Sequence, residues 1–199
     1  MEPHLEYSDK HHKYYADGRE MISVTQVLNA AGLVNKFCMQ EEAAWRGSEV
    51  HRLCAEDDGQ GLDLRKVPKQ FRGYLRAWRQ YRIDSGFSPV LIEQRIDDHR
   101  NGYAGRLDRV GYRHGQAIST VLDIKTTKTG AIADYVRFQL VAYGHALRPN
   151  HLFERIAVAL KPNGTYNVKV FGQLDFKNDL VKFLEMLRTV KEKGHANSN

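Results

Sequence analysis

The segment 103–125, YAGRLDRVGYRHGQAISTVLDIK, alternates apolar and polar residues in two runs that are separated by the pair His114-Gly115. Alternation with period two and many β-branched residues are typical of strands, so we expect strands over Tyr103–Tyr112 and Ile118–Lys125. A similar run over Val90–Ile96 precedes them and ends before another glycine turn. The three runs predict a three-stranded meander at the centre of the fold.

Helical periodicity and further strand patterns surround this meander. We expect a hairpin over 11–22, helices over 24–31, 39–55 and 68–85, and, after the meander, a helix over 133–147, strands over Glu154–Leu160 and Tyr166–Phe171, and a closing helix over 176–192. This order predicts an α/β fold, with a mixed central β-sheet of about five strands flanked by helices.

The length of 199 residues is that of one domain. We expect a single domain over 1–199, with its N-terminal hairpin and helices over 11–85, its sheet and helices over 88–192, and a disordered tail over about 194–199. We expect the sheet within 88–192 to carry the catalytic residues.

The composition excludes several classes of protein. Cys38 and Cys54 are too few for a disulfide framework or an iron–sulfur cluster, and they suit a reducing compartment. The N-terminus lacks a basic region followed by an apolar run, and no stretch approaches the roughly 18 apolar residues of a membrane helix. We therefore expect a cytoplasmic protein with no iron–sulfur cofactor and no membrane partner.

The formal net charge of +6 is concentrated in one segment. Lys and Arg occur seven times between Arg65 and Arg82, where no acid occurs. Within the helix predicted over 68–85, the cations recur at spacings of three and four residues and form one stripe: Lys69, Arg72, Arg76 and Arg79. A stripe without acid partners favours contact with DNA phosphates, and the alternative is a solvated helix face.

Two acids and a lysine lie in the predicted meander. Asp108 belongs to the second strand, and Asp123 and Lys125 share one face of the third because side chains alternate along a strand. Mg²⁺ takes carboxylate ligands, and a lysine beside them can orient water or offset charge on phosphorus, which suits phosphodiester hydrolysis. Glu93 on the first strand is a further candidate acid. The alternative is a set of exposed or ion-paired acids near strand ends.

The segments Gly105–Arg109 and Asp123–Thr126 resemble the core of the PD-(D/E)XK nucleases, in particular their RecB-like and phage exonuclease branch. Three further segments resemble elements of that branch. Ser23–Thr25 is similar to a short N-terminal motif, Arg46–His51 to a helical Gly-x-x-x-His element, and Gln139–Tyr143 to a Gln-x-x-x-Tyr element. The shared order is more specific than any one motif, and it implies a restriction-endonuclease-like core.

The resemblance also implies roles for the central residues. Asp108, Asp123 and the carbonyl of Ile124 would bind Mg²⁺, or Mn²⁺ in its place, and His51 would add a nitrogen ligand. Lys125 would assist the attacking water. The alternative for His51 is an ordinary histidine on the surface or at the edge of the core.

Other residues of the motifs have roles that stay open. Gln139 and Tyr143 lie four residues apart on one helical face, where they would brace the site or touch the DNA backbone. We group both with Glu93 as candidate catalytic residues, although core packing alone explains Tyr143 nearly as well. Thr126 and Lys128, after the lysine strand, could donate to phosphate oxygens or solvate a turn.

The resemblance implies a metal-dependent deoxyribonuclease that leaves 5′-phosphate and 3′-hydroxyl ends. We expect an exonuclease of phage or bacterial DNA recombination or repair, acting in the cytoplasm of a bacterium or of a phage-infected cell. Its partner would be DNA, with a helicase or a single-strand annealing protein as a separate chain, since no Gly-x-x-x-x-Gly-Lys loop occurs. The alternative is a noncatalytic DNA-binding accessory protein of recombination that keeps the fold. Oligomeric state and polarity of cleavage stay open.

Overall fold

The computed structural model describes residues 5–8, 13–34 and 41–196. Its elements, in chain order, are β1 (Leu5–Ser8), β2 (Lys13–Ala16), β3 (Arg19–Ser23), α1 (Val24–Ala30), α2 (Glu41–Gln60), α3 (Arg72–Ser85), β4 (Ser88–Asp98), β5 (Tyr103–Tyr112), β6 (Thr120–Thr126), α4 (Val136–Leu147), β7 (Glu154–Leu160), β8 (Tyr166–Phe171) and α5 (Phe176–Ala196). Two 3-10 turns, Leu64–Lys66 and Lys69–Phe71, precede α3. No helix within these ranges is both long enough and apolar enough to cross a membrane.

All five predicted helices differ from the structure in at least one bound, and two of the differences are small, since α1 ends at Ala30 and α4 begins at Val136. The α-helix predicted from Pro68 starts at Arg72, because the residues before it form a 3-10 turn. The helix predicted over 39–55 continues to Gln60. Gly61 follows it with a φ of 68°, a value that suits a residue without a side chain. Helix α5 continues to Ala196. Residues 11, 12, 39 and 40 and the last three of the predicted tail lie outside the described residues.

The central sheet has eight strands in the order β1-β2-β3-β5-β6-β7-β8, with β4 paired to β5 off this path. Parallel pairs, β3 with β5 and β6 with β7, occur beside antiparallel ones, so the predicted α/β fold with a mixed sheet is confirmed. The predicted count of about five strands is wrong. The hairpin joins the sheet through Ile22↔Tyr103 and Ser23↔Ala104, and β1, only four residues long, is too short to show a strand pattern.

The N-terminal elements form where local signals predict them. A turn at Asp17-Gly18, with φ of 48° and 76°, joins β2 to β3, and positive φ at both residues matches the twist of a two-residue hairpin. The Ser23 side chain accepts from the Gln26 N–H, and the Gln26 side chain accepts from the Ser23 N–H. This capping box satisfies backbone donors at the start of α1.

Helices cover both faces of the sheet. On one face α1, α4 and α5 pack in a core that includes Val121 of β6, and on the other α2 and α3 pack in a core that includes Leu122 and Ile124. Alternation along β6 therefore turns Asp123 and Lys125 towards the α4 side. This orientation brings them close to Gln139 of α4.

One buried ion pair fastens α5 to the sheet. Arg155 of β7 and Asp179 of α5 are 0% and 2% exposed, and their charged groups lie 2.6 Å apart. Arg137 adds a second contact to Asp179, with 2.8 Å from Nε to Oδ1. Removal of one partner of such a pair leaves an uncompensated charge in the core.

We expect Asp179→Ala to lower the free energy of unfolding by about 3–5 kcal/mol, because Arg155 would stay buried without its counter-ion. Urea unfolding followed by circular dichroism measures this loss. The matched control is Glu192→Ala on the same helix, where the contact to Arg188 is 3.9 Å long and solvent-exposed. A change of less than about 0.5 kcal/mol is expected there. Equal losses in both variants would contradict the role of the buried pair.

Candidate active site

The candidate site lies where β5 and β6 separate. Their pairing ends at Arg109↔Leu122, whereas β6 continues beside β7 to Thr126. The Ile124 N–H donates to Asp108 Oδ2 over 2.7 Å, and the Ile124 carbonyl oxygen lies 2.9 Å from His51 Nε2. Buried backbone groups require partners, so Asp108 and His51 fill the places that a neighbouring strand would fill.

A chain of side-chain contacts connects β6 to α4. Lys125 Nζ donates to Asp123 Oδ1 over 2.8 Å and to Gln139 Oε1 over 3.2 Å. Gln139 Nε2 then donates to the Tyr143 hydroxyl over 3.2 Å. The lysine of the motif is therefore held between the sheet and the helix that carries the Gln-x-x-x-Tyr element.

His51 stands between two carboxylates. Its Nδ1 lies 3.4 Å from Asp108 Oδ1 and 3.6 Å from Glu93 Oε1. One ligand atom from each of these three residues lies within 4.8 Å of the others. The structure thus places Glu93, a further acid predicted from the sequence, beside His51 and Asp108 in a group of candidate metal ligands.

Opposite charges control the ionisation of these groups. Burial alone would lower the pKa of His51, but the Asp108 and Glu93 carboxylates outweigh it and raise that pKa to about 10. Burial would raise the pKa of Asp108, yet His51 and Lys125 hold it at about 2. For Asp123 burial prevails, with help from Asp108, and raises the pKa to about 6 although Lys125 opposes it. Asp123 is the carboxylate whose charge is less well compensated.

Lys125 and Tyr143 are also shifted. Burial alone would lower the pKa of Lys125, but the neighbouring Asp123 and Asp108 carboxylates outweigh it and raise that pKa. Burial raises the pKa of the Tyr143 hydroxyl. Lys125 therefore contributes a positive charge to the cleft, and Tyr143 a neutral hydroxyl.

One feature of the donor set fits a divalent cation. Asp123 Oδ2 is buried and has no hydrogen-bond partner among the described residues, which is costly for a carboxylate oxygen unless a cation faces it. His51 Nε2 and the Ile124 carbonyl are 2.9 Å apart, which is the distance of an ordinary hydrogen bond.

Glu93 is held in an unusual backbone conformation. Its φ is +50°, a left-handed value that costs a non-glycine residue about 1–3 kcal/mol. Arg109, whose side chain is 0% exposed, donates to Glu93 Oε1 over 2.8 Å and to Asp58 Oδ2 over 2.6 Å. Arg106 reaches the other Glu93 oxygen, with 3.2 Å from Nε to Oε2. Two arginines therefore fix the carboxylate despite the strained backbone.

The site opens into a cleft of about 750 Å³. Asp108, Asp123 and Lys125 line it together with His51, and so do Gln139 and Tyr143 of α4, Ser23 and Thr25 of the N-terminal motif, and the hairpin and strand residues Tyr7, Tyr14, Arg95 and Arg106. All five motif segments, including Arg46–His51, thus contribute residues to this one cleft. Thr126 and Lys128 follow Lys125 on the chain. Thr126 is half-buried and Lys128 is exposed.

The premise of the basic stripe was wrong at one position, because Arg79 has an acid partner. Arg79 pairs with the Asp57 carboxylate, and Arg72 Nε donates to the Val67 carbonyl over 2.8 Å. The acid belongs to α2, so the absence of acids within 65–82 did not reveal the pair. Lys69 and Arg76 are exposed, and no member of the stripe lines the cleft.

Several residues of the site were not predicted from the sequence. Arg109 and Asp58 were missed, although an arginine inside an otherwise apolar strand is a signal that a buried acid faces it. Arg95 and Arg106 were missed as well. Tyr14 was used only to place the hairpin, and no local pattern indicates that Tyr7 reaches the same cleft.

Comparisons with known proteins give weak structural likenesses only. A structure of LHK-Exo in complex with dAMP aligns at 13% identity and a TM-score of 0.41, covering 89% of this chain and 93% of that chain. A structure of the alkaline exonuclease LHK-Exo from Laribacter hongkongensis aligns at 12% identity and a TM-score of 0.35 with the same coverage. No protein-family model matches, and no curated protein matches. Function must therefore be argued from the residues of this chain.

We expect Gly105→Ala to disturb the site, because a Cβ at this position would lie 2.6 Å from Tyr143 Cε1. Overpacking against a buried ring costs about 1–3 kcal/mol, which urea unfolding measures. The matched control is Gly59→Ala in α2, where a Cβ meets nothing within 4 Å and stability should hold or rise. If the contact is responsible, Gly105→Ala adds less destabilisation in a Tyr143→Leu background. Full additivity of the two changes would contradict it.

Proposed function

We propose that this protein is a metal-dependent deoxyribonuclease of the PD-(D/E)XK type. The observation that carries the proposal is the convergence of Asp108, Asp123 and Lys125 at the separation of β5 and β6, with a buried Asp123 oxygen that has no partner among the described residues. Strands β5 and β6 and helices α2 and α4 all contribute to one cleft. A metal site with an adjacent cation in such a cleft suits phosphodiester hydrolysis.

The residues that would hold the metal are Asp108, Asp123, the carbonyl of Ile124 and His51, with Glu93 at the edge. Oxygen donors predominate, which suits Mg²⁺ and also Mn²⁺. When bound, such an ion supplies an activated water and offsets negative charge on the phosphoryl group. The buried Asp123 oxygen that lacks a partner among the described residues supports this assignment.

Lys125 would act beside the metal rather than on it. Its ammonium is fixed by Asp123 and Gln139, so the third N–H can point into the cleft towards water or a phosphate oxygen. Gln139 is in turn oriented by Tyr143. In this proposal Gln139 and Tyr143 position the lysine, and Glu93 positions His51.

We further infer an exonuclease that leaves 5′-phosphate and 3′-hydroxyl ends and serves phage or bacterial DNA recombination or repair. The motif order supports this part of the proposal, since it resembles the RecB-like and phage exonuclease branch. A helicase or single-strand annealing protein would be a separate chain, and the cytoplasm is the expected location. The cleft volume of about 750 Å³ is within the range of sites that enclose part of a substrate.

We expect Asp123→Asn and Lys125→Met each to reduce Mg²⁺-dependent hydrolysis of linear DNA by about 100-fold or more. The first change removes a charged ligand of the metal, and the second removes the cation beside the phosphate. Labelled DNA resolved on denaturing gels measures the rate and identifies the ends. The matched control is Asp134→Asn, an exposed acid outside the cleft, with unchanged activity.

Full activity of either site variant, or of the unaltered protein in EDTA, would overturn the metal-dependent nuclease. Binding of DNA without hydrolysis under any divalent metal would instead favour the noncatalytic accessory protein. A comparison of linear with covalently closed circular DNA tests the exonuclease part, since only an endonuclease cuts the circle.

For the basic stripe, we expect the double variant Lys69→Glu, Arg76→Glu to bind DNA more weakly and to flatten the log–log salt dependence by about one to two units, since each phosphate contact contributes about 0.9. Fluorescence anisotropy across a salt series measures the slope. The matched control reverses Lys177 and Lys182 on α5, with no effect expected on the slope. An unchanged slope in the first variant would return the stripe to a solvated helix face.

A further inference from the structure

One wall of the cleft is aromatic and cationic. Tyr7 of β1 and Tyr14 of β2 are direct partners in the antiparallel register, so their side chains lie on the same face of the hairpin. Their ring centroids are 4.8 Å apart, with the planes inclined by 50°. Both residues are half-buried and line the cleft that contains Asp108 and Asp123.

Two arginines complete this wall. The guanidinium of Arg95 lies over the Tyr7 ring, 5.3 Å from its centroid. Arg106, on the neighbouring strand, has its side chain 57% exposed and also lines the cleft. We call Tyr7, Tyr14, Arg95 and Arg106 the aromatic wall.

Packing of the hairpin accounts for only part of this arrangement. The small core beneath it consists of Ala16, Met21 and Ala104, and Tyr14 contacts this core at its edge. Burial of Tyr14 raises the pKa of its hydroxyl, and the positive charge of Arg106 acts against that rise. Tyr7 lines the cleft and is not among the described residues of this small core.

We propose that the aromatic wall is a subsite that stacks a nucleobase of an unpaired DNA strand beside the reacting phosphate. Aromatic rings stack on bases of any sequence, and arginine adds cation–π contact and charge towards the backbone. A base inside a duplex is already stacked and cannot present its face, so the subsite selects single-stranded DNA or a frayed end. The proposal deepens the proposed nuclease function and rests on it for the identity of the ligand.

The hairpin makes this selection dependent on its own attachment to the sheet. Besides the contact of Tyr7 with Arg95, the hairpin joins the sheet through the parallel pair of β3 with β5, at Ile22↔Tyr103 and Ser23↔Ala104. Asp108 lies only four residues after Ala104 on the same strand. The two tyrosines are therefore positioned by the strand that also carries the candidate metal ligand.

The test measures binding of a short single-stranded oligodeoxynucleotide and of the same strand with abasic sites, by fluorescence anisotropy in the Asp123→Asn background with Mg²⁺. We expect Tyr7→Ala and Tyr14→Ala each to weaken binding of the base-containing strand by about 5- to 150-fold, the range that stacking of one base produces. Binding of the abasic strand should hardly change. Tyr14→Phe retains the ring and should restore base-dependent binding.

The matched control is Tyr15→Ala, since Tyr15 is in the same hairpin but on its opposite face. Thermal unfolding checks that all variants are folded. Equal losses for base-containing and abasic strands would overturn the proposal, and so would unchanged binding in both tyrosine variants or no measurable binding of either strand.

The outcome is separable from that of the proposed function. Base-dependent binding through Tyr7 and Tyr14 in a protein that hydrolyses no DNA would retain the subsite and reject the nuclease. Mg²⁺-dependent hydrolysis without any effect of the two tyrosines on base recognition would retain the nuclease and reject the subsite.

Discussion

The separation of β5 from β6 after Arg109↔Leu122 is the constraint from which the site follows. Ile124 remains paired to β7 on one side, while on the other its N–H and carbonyl face a gap between strands. A buried peptide group without partners is costly, so the gap must contain an acceptor and a donor. Asp108 and His51 supply them, and this requirement brings a carboxylate and an imidazole to within 3.4 Å of each other.

Charge compensation explains why the buried acids around this gap are tolerated. Asp108 is compensated by His51 and Lys125, and Glu93 by the fully buried Arg109. One carboxylate oxygen of Asp123 accepts a hydrogen bond from Lys125, and the other oxygen lacks a partner among the described residues. A site that served stability alone would be expected to satisfy both oxygens, since a half-satisfied buried carboxylate destabilises a fold. The imbalance at Asp123 is therefore the strongest physical reason to propose a cation there.

Local patterns in the sequence were enough to predict most elements and the central acids, because alternation and capping act over a few residues. Strands β5, β7 and β8 have their predicted bounds, and Ser23 with Gln26 forms the predicted capping box. Interactions between distant residues could not be predicted in this way. The partner of Arg79 is 22 residues away on α2, and β1 has no alternation long enough to read. Glu93 was predicted as an acid, but its left-handed backbone and the contacts of its carboxylate with Arg109 and Arg106 were not.

The hairpin strands, which are among those that the predicted count of five left out, also contribute residues to the cleft. Had the hairpin packed separately, Tyr7 and Tyr14 would have had no reason to lie near Asp108. The hairpin pairs in parallel with the first residues of β5, on the same edge of β5 that β6 occupies further along. Between these two pairings, that edge is unpaired over a stretch that contains Arg106 and Asp108. One strand edge thus serves three purposes, since it anchors the hairpin, opens the gap and aligns the aromatic wall with the candidate metal ligands. A shift of the hairpin by one residue would turn both tyrosines away from the cleft, because side chains alternate along a strand, while the acids would stay in place.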